Sequence, residues 1–154
     1  MIAGRPACGR RRSCRCCATY AIHSGGARRL GHRGVPRGIR AHGAVGAQLA
    51  EHAGRLWAPH LIDAEVGHVL RRAVAREDLT PGHAAAALGD LADLPMRRAA
   101  HVGLLDRAWA LRENVTFYDG LYVALAERLD EPLLTLDARL ATAVGIAAEI
   151  VVVS

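Results

Sequence analysis

The sequence predicts an α/β fold with a small parallel sheet, because segments of two kinds alternate along residues 43–154. In one kind, apolar residues recur at helical spacing; in the other, they form short runs of about the length of a strand. The run 133–136 follows a proline and is almost wholly apolar, which suits a strand buried on both faces of a parallel sheet. Regular alternation of helices and strands is typical of this fold class.

Six elements are predicted before residue 115. The segment 60–76 is the most periodic, with an apolar stripe from Ile62 to Ala73. Thr80 and Pro81 are the residue types that open helices, as N-cap and first helical residue. The six elements are a helix over 44–53, a strand over 55–58, helices over 60–76 and 81–94, a strand over 96–101 and a helix over 104–113.

The last third of the chain is predicted to hold a helix, a strand, the start of another helix and a closing strand. The first of these helices begins near Thr116, and its apolar face contains Tyr122, Leu125, Ala126 and Leu129. The strand 133–136 follows, and a helix is expected to start just after it. The β-branched run 149–153 is the closing strand.

Residues 1–42 differ in composition from residues 43–154, and we treat them as a separate segment. They contain ten Arg and no Asp or Glu, for a net charge of +10, whereas residues 43–154 carry −5. No helix or strand can be placed over residues 1–40, so disorder is expected. Such a basic segment could contact nucleic acid. An alternative is that it is an out-of-frame reading of GC-rich coding DNA.

All four cysteines lie in the first 17 residues. Their spacing lacks the paired C-x2-C units of structural zinc sites, so zinc binding is not expected. The absence of cysteine from residues 43–154 argues against a disulfide framework and favours a reducing cytoplasm. No apolar run reaches the roughly 18 residues that suggest a membrane span, so no membrane partner is expected.

Three acidic residues stand at the ends of predicted elements. Glu65 is near the start of the helix 60–76, Asp119 is one turn before Tyr122, and Asp137 ends the strand 133–136. Open parallel sheets place their ligand crevice at the carboxyl ends of the strands. Neither Asp119 nor Asp137 has an obvious cationic neighbour in sequence.

These carboxylates suggest a cation site. Two carboxylates about 4 Å apart repel by roughly 4 kcal/mol at an effective dielectric of 20, and a divalent cation between them removes this cost. Oxygen ligands favour Mg²⁺ or Mn²⁺ over zinc. We therefore expect Asp119 and Asp137 within bridging distance of one cation, with Glu65 facing them. A salt bridge to an arginine is the alternative interpretation of Glu65.

Several other polar and aromatic residues have a structural interpretation. Asp63 is expected to be solvated or to cap its helix, and Thr135 either fills its strand or supports a bound water. The histidines at 60, 68 and 83 are interpreted as surface residues, and the tryptophans at 57 and 109 as packing residues. The arginines at 71, 72, 97, 98 and 139 form a solvated face or hold RNA phosphates.

The segments around the three acids resemble the PIN domain, and specifically the VapC ribonuclease toxins of bacterial toxin–antitoxin pairs. Three segments match family motifs in the family's order: 58–66 with Glu65, 117–126 with Asp119 and 134–140 with Asp137. The resemblance covers residues 44–154. It implies an α/β/α sandwich and an endoribonuclease that depends on Mg²⁺ (or Mn²⁺), with these three acids as catalytic metal ligands. It also implies an RNA substrate, a VapB-type antitoxin and a homodimer.

The chain departs from the family pattern at its N-terminus. The family begins with a hydrophobic strand that ends in Asp followed by Ser or Thr, but the first acidic residue here is Glu51. We therefore expect a PIN-like sandwich that lacks its usual first strand and one carboxylate, and weak or absent RNA cleavage. Two alternatives stay open: a non-catalytic remnant that still binds an antitoxin, and an Arg-rich RNA-binding protein that uses residues 1–42.

Overall fold

A computed structural model describes residues 20–23 and 54–153. Five parallel strands form one sheet in the order β3-β2-β1-β4-β5. The strands are β1 (Tyr20–His23), β2 (Leu56–Pro59), β3 (Met96–Ala99), β4 (Leu133–Thr135) and β5 (Ile150–Val152). The α/β prediction with a parallel sheet is thus confirmed. The predicted strands at 96–101, 133–136 and 149–153 form with shorter bounds, and the strand predicted at 55–58 forms one residue later.

The central strand corrects the sequence analysis. Residues Tyr20–His23 form β1, which pairs with β2 on one side and β4 on the other. The predictions that residues 1–40 contain no strand and that the sheet lacks its first strand are therefore wrong. The segment stands among Arg and Gly, and pairing with two neighbours decides whether such a short segment becomes a strand.

Within residues 54–153, four α-helices lie between β2 and β4. They are α1 (Leu61–Ala75), α2 (Pro81–Asp93), α3 (Leu105–Ala110) and α4 (Phe117–Leu129). Thr80 caps α2 as predicted, because its hydroxyl accepts the His83 N–H. The predicted helix over 104–113 is shorter, and the predicted helix after Asp137 is only a 3₁₀ turn over Leu140–Thr142.

The order of strands places the helices on both faces of the sheet. The chain moves outward from β2 to β3 through α1 and α2, and then back across the sheet to β4 through α3 and α4. Right-handed crossovers in opposite directions put the two helix pairs on opposite faces. The result is the α/β/α sandwich that the family resemblance implied.

Helix α4 is the centre of the core. Its residues from Gly120 to Ala126 are all buried, and Tyr122 and Val123 pack with Leu56 and Leu133 from the sheet. A helix this apolar on every side is held by packing around its whole circumference. No helix within residues 54–153 has both the length and the apolar character needed to cross a bilayer.

Two predictions lie outside the described residues. One is the helix over 44–53, and the other is disorder over the rest of the segment 1–42, of which only β1 is described.

Candidate functional site at the carboxyl edge of the sheet

The candidate residues converge on one edge of the sheet because of how their elements run. Helix α1 begins two residues after β2 ends, so Glu65 lies in the turns nearest the carboxyl edge. Helix α4 ends four residues before β4 begins, so its last residues lie near the amino end of that strand. The helix is about 20 Å long, so its first residues, including Asp119, lie toward the carboxyl edge. Asp137 follows β4 directly. The chain reverses its direction across the sheet between β1 and β4, which is where open α/β sheets form their ligand crevice.

Glu65 is held by a tyrosine that the sequence analysis had assigned only to packing. The Tyr122 hydroxyl donates a hydrogen bond of 2.6 Å to Glu65 Oε2. The Tyr122 side chain is completely buried, whereas Glu65 is partly exposed. Burial raises the pKa of Tyr122 well above its ordinary value, and the bond to Glu65 and the negative charges of Glu65, Asp119 and Asp63 raise it further. Tyr122 therefore stays protonated as a donor to Glu65.

Asp119 is anchored to the cap of its own helix. The Thr116 hydroxyl donates to Asp119 Oδ2 at 2.6 Å and accepts the Asp119 N–H at 3.2 Å. This reciprocal pair fixes the third residue of α4 against its N-cap. A negative charge there is also favoured by the positive end of the helix dipole.

Asp137 has a cationic partner two residues along the chain, so the expectation that it has none is wrong. Arg139 Nε donates to Asp137 Oδ1 at 2.8 Å, and Arg139 Nη2 donates to Asp137 Oδ2. The Asp137 N–H donates to the hydroxyl of buried Thr135, which fixes the turn after β4. Asp137, and to a lesser extent the charge of Asp119, raise the pKa of Arg139. The field of Asp119 thus reaches the partner of Asp137.

The three acids have the oxygen-only donor chemistry that suits a hard divalent cation. Each carboxylate has a different partner, namely Tyr122, Thr116 or Arg139. Within the described part of the chain, no three His, Cys, Asp or Glu side chains form a group that could hold a metal ion. Binding would therefore require these side chains to turn toward one another, and their sharing of one cation stays a prediction.

Other candidate residues have structural roles. Asp63 was expected to be solvated or capping, but it accepts two bonds from Arg98 Nε at 2.8 and 2.9 Å. Arg97 lies over the Trp57 ring, with its guanidinium carbon 5.3 Å from the ring centroid. The interpretation of the histidines at 60, 68 and 83 as surface residues is confirmed, since all three are exposed. The prediction that Trp109 is a packing residue is wrong, because its side chain is 60% exposed.

Comparison with known proteins agrees with this architecture. The model of the PIN domain matches residues 35–145. Ribonuclease VapC1 of Mycobacterium tuberculosis is 56% identical over 94 residues, which cover 60% of this chain and 71% of that protein. Ribonuclease VapC9 of the same organism is 43% identical over 88 residues (57% and 69%), and Ribonuclease VapC12 is 40% identical over 97 residues (63% and 75%). The chain belongs to the PIN-domain family and, within it, to the VapC proteins.

Proposed function

We propose that this protein is a VapC-type toxin, an endoribonuclease that cuts RNA phosphodiester bonds with the help of Mg²⁺ or Mn²⁺. Glu65, Asp119 and Asp137 are its proposed catalytic metal ligands. The proposal is supported by relatives that are named as ribonucleases and by a shared edge of the sheet that bears three acids. Partners of VapC proteins follow from the same resemblance: a cognate VapB-type antitoxin, and a second copy of the chain in a homodimer.

One observation supports the site most strongly: Glu65, Asp119 and Asp137 all lie at the ends of elements on the carboxyl edge of the sheet. Tyr122 lies in the fields of both Glu65 and Asp119, and Arg139 lies in the fields of both Asp137 and Asp119. Carboxylates that approach one crevice from different elements offer the oxygen ligands from which a site for a hard divalent cation can be assembled.

Each neighbouring residue has a definable task in this proposal. A bound divalent ion would neutralise the carboxylates, polarise the phosphate and favour attack by water. Tyr122 orients Glu65, and Thr116 fixes Asp119 at the start of α4. Arg139, whose side chain is 71% exposed, neutralises Asp137 and offers a guanidinium that can bind the phosphate of an RNA strand.

The carboxyl end of β1 bears on how active the protein is. Strand β1 ends at His23, which pairs in register with Thr135 of β4, two residues before Asp137. His23 and Ser24 stand where the family pattern has Asp followed by Ser or Thr. The strand is thus present but its acid is absent, so we propose that the natural chain cleaves RNA weakly.

RNA digestion with Mg²⁺ tests this function. The samples are the natural chain with and without EDTA, and the Asp119→Asn variant, whose fold is checked by circular dichroism. We expect slow cleavage that both EDTA and Asp119→Asn abolish. Cleavage that persists in EDTA, or in a folded Asp119→Asn variant, would rule out the assignment. If neither the natural chain nor the His23→Asp variant, which supplies a carboxylate at the end of β1, cleaves RNA, the non-catalytic alternative is favoured.

A further inference from the structure

We propose that His101 is a positioning residue: its neutral imidazole caps helix α1 and holds the turn that bears Glu65, and its protonation releases that turn. Mild acid then weakens cation binding at the candidate site. The inference rests on the proposed function, because it assigns a pH-dependent control to the same site. The His101 cap itself is a contact between described residues and can be tested without any metal ion.

The start of α1 is capped by a residue from a distant part of the chain. His101 Nε2 lies 3.0 Å from the Leu61 backbone nitrogen and accepts its N–H, across 40 positions of sequence. Such a contact matters because the first N–H groups of a helix have no partner within the helix. Within residues 54–153, the side chain of His60, the N-cap residue of α1, makes no capping bond. His101 thus gives α1 the kind of cap that Thr80 gives α2.

The His101 cap requires a neutral imidazole. A backbone N–H can only donate, so Nε2 of His101 is the unprotonated nitrogen and Nδ1 carries the proton. A second proton would occupy Nε2, remove the acceptor and set two N–H groups against each other. It would also place a positive charge at the positive end of the helix dipole, which is unfavourable. Because histidine is the side chain that ordinarily gains charge between about pH 8 and pH 5, mild acid removes the cap.

The His101 cap acts on Glu65 through the first turn of α1. In the regular helix pattern, the Leu61 carbonyl accepts the Glu65 N–H. His101 therefore holds the residue that begins the turn ending at Glu65. The carboxylate of Glu65 is held separately, by the Tyr122 hydroxyl on α4. Loss of the cap removes one of these two anchors, and a helix end that has lost its cap opens more readily.

Other ionisable groups near the cap come from α1, β3 and α4. His60 and Asp63 belong to the start of α1, and Arg98 of β3 donates to both Asp63 carboxylate oxygens at 2.8 and 2.9 Å. Arg128 of α4 donates to the Gly103 carbonyl at 3.4 Å. Arginines stay charged and carboxylates stay ionised between about pH 5 and pH 8. Of these groups, His60 is the one that titrates over the same range, so its substitution is the matched control.

The first measurement is NMR of the isotope-labelled full chain in EDTA, at about pH 5.5 and about pH 8. At the higher pH, the ring of His101 should carry its proton on Nδ1. At the lower pH, exchange of the Leu61 amide, corrected for the intrinsic effect of pH, should be roughly two- to thirtyfold faster, as expected for loss of a helix cap. His101→Ala should show fast exchange at both pH values. His101→Gln, whose side-chain oxygen can replace Nε2 but does not titrate, should keep slow exchange at both.

The second measurement is Mn²⁺ affinity at the same two pH values, followed by electron paramagnetic resonance. Between the higher and the lower pH, the natural chain should lose roughly tenfold more affinity than His101→Gln, the lower limit for residues that orient a metal ligand. His60→Gln, which changes an exposed histidine at the start of the same helix, should keep the pH dependence of the natural chain. A purely structural role of His101 would not produce a pH dependence that glutamine removes.

Two results would overturn the His101 cap: a ring proton on Nε2 at the higher pH, or equal exchange of the Leu61 amide in the natural chain and His101→Ala. If His101→Ala does not fold, equal pH dependence of this exchange in the natural chain and His101→Gln has the same meaning. A cap without effect on the pH dependence of Mn²⁺ affinity would overturn the positioning role and leave the proposed function standing. Absence of Mn²⁺ binding at both pH values would count against the proposed function, whereas the cap would stand on the exchange data.

Discussion

Removal of the Tyr122 hydroxyl should weaken cation binding at the candidate site. In Tyr122→Phe the ring still fills its buried position, but Glu65 Oε2 loses the donor at 2.6 Å. A hydrogen bond to a charged group contributes about 1.5–3 kcal/mol. Glu65 is partly exposed and water can replace the donor there, so we expect a stability loss near the lower end of this range. Partners that orient a metal ligand typically affect metal affinity by about 10- to 100-fold.

The assay is Mn²⁺ binding followed by electron paramagnetic resonance, with thermal melting of the same samples as a check on folding. The variants Tyr122→Phe, Glu65→Gln and their double form a cycle that isolates the contact. If Tyr122 acts by orienting Glu65, Tyr122→Phe lowers the Mn²⁺ affinity of the natural chain. It then has little further effect in a chain that already carries Glu65→Gln. Equal effects of Tyr122→Phe in both backgrounds, or no effect in either, would refute this reasoning.

Three further predictions follow from other contacts. His23→Asp supplies a carboxylate at the end of β1, so the rate of Mg²⁺-dependent RNA cleavage should rise at least about tenfold above that of the natural chain. Small errors in the position of reacting groups change rates by about this factor or more. An unchanged rate would contradict the role given to this position. The pKa of Glu127 is lowered, chiefly by its bonds from Arg107, so the pair stabilises the fold above the ordinary pKa of 4.5 and loses this effect as the pH falls through the lowered value. Glu127→Gln should therefore cost about 1–2 kcal/mol at pH 7, with a smaller difference from the natural chain in acid melts; a difference independent of pH would count against the ion pair. Gly120→Val should lower the free energy of unfolding by about 2–3 kcal/mol, because a Cβ at Gly120 would lie 3.1 Å from the Ala108 carbonyl oxygen and 3.2 Å from its Cα; urea melts with an unchanged midpoint would contradict this close packing.

The elements with a clear local pattern could be predicted from the sequence. Helix α1 has a complete apolar stripe, α2 has a Thr80 cap followed by proline, and β4 is an apolar run between breakers. Their bounds differ from the structure by a few residues at most. Local pattern determined these elements because their own residues satisfy the helix period or the strand length.

Strand β1 could not be predicted in the same way. Its four residues have no periodicity and lie among Arg and Gly. Its place at the centre of the sheet depends on backbone pairing with β2 and β4, both more than 30 residues away in sequence. Pairing of this kind is a property of the folded chain and leaves only a weak local signal.

The contacts of the candidate site show the same limit. The Tyr122–Glu65 bond joins residues 57 positions apart, and the Asp63–Arg98 pair joins residues 35 apart. The Asp137–Arg139 pair is local, and its spacing of two residues after a strand was a signal that could have been used. Exposed Trp109 was mistaken for a core residue because large aromatic residues most often pack in cores.

Counting the Mn²⁺ ions bound by the full chain is the most direct test of whether Glu65, Asp119 and Asp137 share one cation. The titration compares the natural chain with Glu65→Gln, Asp119→Asn and Asp137→Asn, each shown to be folded. We expect one Mn²⁺ per natural chain and a large loss of affinity in every variant. Binding that is unchanged when Asp119 is replaced would contradict the shared site.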